Sequence, residues 1–474
     1  MKHSAKRRRK ILLTTCLLAF LLLPGRMRAG VEAGNFHCAL PRAIRSYSDN
    51  EFLLEAPEAG RYRIIIRDET TTYQMLTGEV ETAGPYTVRW NGTGFNDERL
   101  EQRKYWIDAS FETREGKQYS DQLTHTIGYG YQAVNFALPS SAVLNLNAIN
   151  SWFMEVKVVQ DGSIIVEWIP EKETGAVLSR RQAVAGGKVL SFRFAELMGS
   201  SRPSPGAYLV HVYDPRNPDY GKSFSVQVTD EPIQTEKIQE TGEILPEEGA
   251  SEREIWDMMM RPSVVVDIGF HQHQKIYQEP DSRSPSLGTV HGQTQGLKVL
   301  DTQSEPGWVR VGAWVHENGQ YTEGWVPSEK LILKHPETDY GLLFDKQKQT
   351  LDVFYRGKRL DTLKISTGSG DSEHPDRETP AGSYLTGTHR GSFSSNGKKF
   401  DYVIQYDGGN MIHQIPYRWG NGKKDFSPGA ADLGQKASHG CIRVQAEPTA
   451  KEGLNAYWLW THIPFQTRVI ILDD

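Results

Sequence analysis

The sequence predicts a mainly β, multidomain protein, and three observations carry that reading. At 474 residues the chain is too long for one ordinary core and fits about three or four domains. Aromatic and β-branched residues are plentiful, and 44 Gly and 24 Pro supply frequent turn signals. Long periodic Leu/Ala/Glu/Lys stretches are absent, so short strands are favoured over long helices. A net charge of −5 with both signs intermixed excludes the clustered basic surface that nucleic acid requires, so no nucleic-acid partner is expected.

The N-terminus reads differently from the rest. Lys6-Arg7-Arg8-Arg9-Lys10 is a positive block, and Ile11 to Leu23 is an apolar run of about 13 residues, short of a bilayer span. Pro24-Gly25 breaks it, and Ala29 and Ala33 offer cleavage points, so residues 1–33 are expected to be a secretory signal. The competing reading is an uncleaved anchor, the only case in which a membrane is a partner. With Cys16 inside this segment, Cys38 and Cys441 remain, too few for a disulfide-built fold; a bridge between them is the structural alternative for both.

Two stretches share an order of features. Tyr62-Arg63-Ile64-Ile65-Ile66, Ala83-Gly84, Val88-Arg89-Trp90 and Tyr105-Trp106-Ile107 are answered by Val156-Lys157-Val158, Ala185-Gly186, Leu190-Ser191-Phe192 and Tyr208-Leu209-Val210. Repeated short strands between turn signals predict tandem β-sandwiches at 45–130 and 145–229, which resemble immunoglobulin-like modules. From 230 to 260 acids outnumber bases and apolar residues are sparse, so an acidic, poorly ordered linker is expected. Ser251 and Glu254 form a capping box that would start a short helix at its end.

Residues 262–334 place five short strands in about 70 residues, the pattern of a small barrel. Gly307-Trp308-Val309-Arg310-Val311 and Glu323-Gly324-Trp325-Val326 resemble the late strands of a bacterial SH3-like domain, which implies attachment to the cell wall. Trp308 and Trp325 are either core or a ligand shelf. His271-x-His273 puts two imidazoles on one strand face, but no third ligand lies nearby in sequence, so no metal is expected.

The chemistry concentrates in 336–474. A thiol is a poor nucleophile at neutral pH until an imidazole or oriented amides favour its thiolate. Cys441 has two candidate imidazoles, His439 two residues away and His413 on a separate apolar strand, and His413 is assigned as the base because nucleophile and base usually meet across elements. Gly440 lets backbone amides approach a reacting carbonyl. Arg443 offers a fixed charge near the nucleophile, suited to a substrate carboxylate or to orienting the loop. A packed cysteine in a turn, or half of a zinc site, are the bland readings; zinc would want a second short-spaced pair, which is missing near Cys441.

His413 and Ser438-His439-Gly440-Cys441-Ile442-Arg443, with Ser366-Thr367-Gly368 and Thr379-Pro380-Ala381-Gly382, resemble the L,D-transpeptidase (YkuD-type) catalytic domain. The resemblance implies a β-sandwich-like fold, Cys441 as nucleophile and His413 as general base oriented by a carbonyl near Gln414. It also implies an oxyanion hole from His439, Gly440 and Cys441, and substrate contacts from Ser438 and Arg443. The implied reaction is attack on a peptidoglycan stem peptide, loss of D-Ala and transfer of the acyl group to an amine, outside the cytoplasm and without metal or organic cofactor. The 24-residue spacer between His413 and Ser438 is longer than usual in the family. Its Tyr417-Arg418-Trp419-Gly420 and Lys423-Lys424 suggest part of a lid whose bases attract carboxylates, or else a solvated loop tip. Two rival outcomes are a hydrolase with the same acyl-enzyme and a non-catalytic wall-binding protein.

Overall fold

Strand patterning in the first 230 residues builds the same unit twice. The computed structural model describes residues 36–95, 99–129, 134–159, 161–172, 176–232, 237–420 and 423–473; the expected leader at 1–33 lies outside the described residues. In the first unit a three-stranded sheet orders His37–Ala39, Asn50–Ala56 and Gly84–Trp90. It faces a five-stranded sheet ordered Ile44–Ser46, Gln118–Tyr129, Lys104–Thr113, Gly60–Arg67, Thr72–Val80. The second unit repeats both sheets in the same order, from Val134–Pro139 to Asn217–Thr229, down to the one parallel pairing at the edge of the larger sheet. Alternation sends Phe52, Leu54, Ile64 and Ile66 into one core and Val156, Ile164, Val166 and Trp168 into the other. The first strand of each unit precedes the expected 45 and 145: His37–Ala39 has only three residues, and Val134–Pro139 shows no alternation.

The units attach to the C-terminal part in different ways. The first reaches it through polar contacts: Arg61 pairs with buried Glu452, Thr77 donates to the same carboxylate at 2.9 Å, and Asn455 donates to the Phe95 carbonyl at 3.4 Å. The second packs aromatic rings, Phe136 on Trp460 at 4.1 Å and Phe153 on Phe465 at 5.0 Å. It also buries Glu155, which accepts the His389 amide at 2.8 Å and whose carboxyl burial pushes up to about 8.

Residues 263–334 form a two-stranded sheet, Ser263–Val266 with Leu331–Lys334, and a five-stranded sheet running from Ser286–His291 to Lys298–Asp301. Val309, Val311 and Val326 face its core, while Trp308 and Trp325 are half-exposed on the other face, so they are not core. The acidic segment before it is better anchored than its composition suggests. Thr241 donates its amide to the Val299 carbonyl at 3.0 Å, Ile238 packs on the barrel core, and Leu245 packs beside Met259. Its few apolar residues suffice because they land on surfaces already formed. Helix α1 (Glu252–Met259) starts on the reciprocal Ser251/Glu254 cap and inserts Met259 against Leu343, Phe354 and Ile470. Among the described residues no helix is long and apolar enough to cross a membrane.

The C-terminal unit is built on a nine-stranded sheet: β1 (Tyr340–Asp345), β2 (Thr350–Tyr355), β3 (Lys358–Ser366), β4 (Gly382–Leu385), β5 (His389–Ser395), β6 (Lys398–Asp407), β7 (Asn410–Gln414), β8 (Ile442–Val444) and β9 (Arg468–Ile471). Their order is β4-β9-β1-β2-β3-β8-β7-β6-β5. β3 is shared: residues 358–364 pair with β2, and Ile365 and Ser366 pair with β8, so the sheet folds into two layers. Leu342, Phe344, Leu351 and Val353 from one layer meet Tyr402, Ile404, Ile412 and Ile442 from the other, and helix α2 (Ala456–His462) closes the end with Trp460. Buried Arg468 on β9 ties three segments together, donating to the Met259 carbonyl at 3.1 Å and to the Ser263 and Ser383 hydroxyls at 3.0 and 2.7 Å.

Candidate active site

β7 and β8 run parallel with Ile412 opposite Ile442 and His413 opposite Arg443, which sets Met411 beside Cys441. Ile412 and Ile442 enter the core, so His413 and Arg443 share the opposite face. One strand spacing and a two-residue offset separate the Cα atoms of His413 and Cys441 by about 8 Å, a gap that two side chains on one face can span.

The imidazole of His413 is held on three sides. Phe393 and Phe400 meet it edge-on at 5.5 and 5.0 Å, and its Nδ1 lies 2.7 Å from the Gln414 carbonyl. A carbonyl only accepts, so Nδ1 carries the proton and Nε2 keeps a lone pair. Burial pushes its pKa down to about 4, helped by Arg443 and opposed by the Gln414 bond, so the ring is neutral at pH 7.

Cys441 is a half-buried free thiol. Burial pushes its pKa up, while the Met411 amide and the Arg443 guanidinium pull it back. The ground state is therefore a neutral thiol beside a neutral imidazole, with a fixed cation and an amide placed to stabilise the thiolate once it forms. The structure also removes the Cys38–Cys441 bridge: both are free, and Cys38 is buried in the first sandwich.

The loop before Cys441 is built by pinning its carbonyls. Gly440 has φ of +105°, and a Cβ there would lie 2.4 Å from Asn410 Oδ1, so no other residue fits without movement. The Thr379 hydroxyl accepts from the Gly368 amide and donates to the Gly440 carbonyl, each at 2.8 Å. The Ser438 carbonyl accepts the Ser369 amide and hydroxyl, each at 3.0 Å. In a planar trans peptide C=O and N–H point in opposite directions. Fixing those two carbonyls inward therefore turns the amides of Cys441 and His439 outward, where a developing oxyanion can use them.

Ser438 and Arg443, the two expected substrate contacts, make contacts within the protein. Ser438 is buried and its hydroxyl donates to the Cys441 carbonyl, and the Arg443 guanidinium is paired with Asp432 at 2.7 Å. Both polar groups are used to hold the loop. His439 is exposed. In the spacer, Lys424 donates to Asp401 at 2.8 Å and lies over Tyr417, which engages it inside the fold; the side chain of Lys423 lies outside the described residues. Trp419, on the hairpin of Arg418–Gly420 with Lys423–Asp425, is exposed. Sequence reasoning missed Asp432, Asn410 and the phenylalanine pair. Thr379 sat in a motif that was noticed, but its clip was not legible.

Residues 339–471 match the family model described as the L,D-transpeptidase catalytic domain (YkuD). A curated relative, "Putative L,D-transpeptidase YciB" from Bacillus subtilis, is 33% identical over 115 residues, covering 23% of this chain and 54% of that protein. The chain thus spans about half the length of the curated relative it matches. Among solved structures, an L,D-transpeptidase from Xylanimonas cellulosilytica aligns with 29% of this chain and 64% of its own at 23% identity and a TM-score of 0.22. One from Mycobacterium smegmatis aligns with 37% of this chain and 99% of its own at 12% identity and a TM-score of 0.23. Global overlaps this low do not bear on function.

Proposed function

We propose that the chain is an exported peptidoglycan L,D-transpeptidase with Cys441 as its nucleophile. The observation that carries this reading is a neutral His413, its Nε2 lone pair fixed by the Nδ1 bond to Gln414, on the same sheet face as a thiol whose loop carbonyls are pinned by Thr379 and Ser369. The family match over 339–471 supports peptidoglycan stem peptides as the substrate class. His413 Nε2 takes the thiol proton as sulfur attacks the carbonyl of the third stem residue. The tetrahedral oxyanion is held by the Cys441 and His439 amides; the C–N bond breaks, the proton passes to the departing D-Ala amine, and a thioester remains. An amine acceptor then attacks that thioester and restores the thiol. Arg443, held by Asp432, acts on the charge of Cys441 and not as a substrate contact. No metal or organic cofactor takes part in these steps. The barrel and the tandem sandwiches, in this reading, hold the catalytic unit on the wall.

Incubation of the purified chain with a tetrapeptide stem, with and without an amine acceptor, tests the proposal. D-Ala release together with a cross-linked product, both absent in Cys441→Ala, is the expected result. Release of D-Ala with only hydrolysed tripeptide, acceptor or not, would make the protein a carboxypeptidase. Turnover in Cys441→Ala would sink the assignment of the nucleophile.

A further inference from the structure

Where the barrel meets the catalytic sheet, three imidazoles and a carboxylate are packed together. His291 ends the strand Ser286–His291, is buried, and sets Nδ1 2.7 Å from Oδ1 of Asp407, the buried last residue of β6. The His316 ring lies 4.6 Å from that of His291, and its Nδ1 is shielded from solvent with no hydrogen-bond partner. His273 stands at the rim, exposed, with its ring 4.4 Å from His291 and 5.6 Å from His316. Glu317 lies alongside, held by the Thr289 amide and hydroxyl at 2.9 and 2.8 Å.

We propose that His291, His316 and Asp407 form a binding site for a divalent ion of the zinc class, with His273 or water completing the coordination. One potential ligand atom from each of the three lies within 4.8 Å of the others. Tetrahedral coordination at N and O distances of about 2.0–2.2 Å sets ligand atoms about 3.3–3.5 Å apart, so modest rotation of the rings closes the site. Two nitrogens and one carboxylate suit zinc, cobalt or nickel, whereas magnesium and calcium prefer all-oxygen sets. The alternative occupant is a proton shared by His291 and Asp407, but that leaves the lone pair of His316 buried and unused. Metal binding releases protons from its ligands, so affinity falls as the pH is lowered.

The site has a path to the catalytic loop. Asn410 donates to Asp407 Oδ2 at 3.2 Å, and its own Oδ1 crowds the bare Cα face of Gly440. An ion on Asp407 fixes Asn410 and with it the turn preceding Cys441. It also fastens the barrel, which supplies the histidines, to the sheet that supplies the carboxylate.

Cobalt titration of the tag-free full chain carrying Cys441→Ala, which removes the catalytic thiol as a competing ligand, tests the proposal. The expected result is one equivalent bound, visible absorption of a four-coordinate ion without thiolate charge transfer, and a rise in Tm on adding zinc. His316→Ala, whose folding is checked by circular dichroism, and Asp407→Asn should each weaken binding at least about tenfold; if Asp407→Asn does not fold, His316→Phe serves in its place. Absence of binding below millimolar metal, or affinity unchanged by His316→Ala, would overturn it.

Discussion

Cys38 and Cys441 are the two free thiols among the described residues, and their surroundings differ in sign. Cys38 is fully enclosed in the first sandwich, where burial and then the Asp121 carboxylate push its thiol up to about 12. Burial raises Cys441 as well, but there an amide from Met411 and the guanidinium of Arg443 act in the opposite direction, and the loop leaves the sulfur partly open. Desolvation by itself silences a thiol. In the proposed function, what separates the nucleophile from a structural cysteine is the charge and the amide placed beside it.

That contrast can be broken one group at a time. Removing the sulfur in Cys441→Ala should lower acyl transfer at least about a thousandfold, measured as D-Ala release. His413→Gln keeps a polar group on β7 but loses the base, and a fall of about 10²–10⁴-fold in kcat/KM is expected. Arg443→Met removes the cation that favours the thiolate, so alkylation of Cys441 by iodoacetamide at pH 8 should slow by about tenfold. In the wild type, alkylation should keep rising with pH beyond the ordinary thiol value of about 8.5, because the folded-state pKa of Cys441 lies above its usual position. Acyl transfer should fall only as His413 protonates near its depressed value of about 4. Cys38→Ser should leave acyl transfer within about twofold while costing about 1–2 kcal/mol of stability by burying a hydroxyl, read by denaturant unfolding. Native Cys38 should resist alkylation throughout.

Much of this was legible in the sequence wherever the information is local. Alternating strands such as Tyr62 to Ile66 announced the sandwiches, and Ser251 with Glu254 announced α1. The run from Ser438 to Arg443 announced the candidate site loop because its residue types constrain one another at short range. What stayed hidden depends on distant partners. Three-residue strands such as His37–Ala39 carry no period, and they form because a longer strand, Asn50–Ala56, is there to pair with. Of the two roles open to Arg443, holding the loop could not be singled out without Asp432, which no spacing rule links to it. His271 and His273 stand two residues apart but part in the fold: His271 turns to Phe270 and Arg390, while His273 joins His291 and His316. The Gly440 turn was expected, but the Thr379 clip that aims its peptide needed the fold.

The central claim is that Cys441 carries the acyl group, and intact-mass analysis after rapid quenching with a synthetic stem tetrapeptide tests it most directly. The account predicts an adduct equal to the tripeptide acyl group, located on Cys441 by peptide mapping, discharged by an amine and absent in Cys441→Ala. An unmodified Cys441 during D-Ala release, or an adduct that survives in Cys441→Ala, would contradict it.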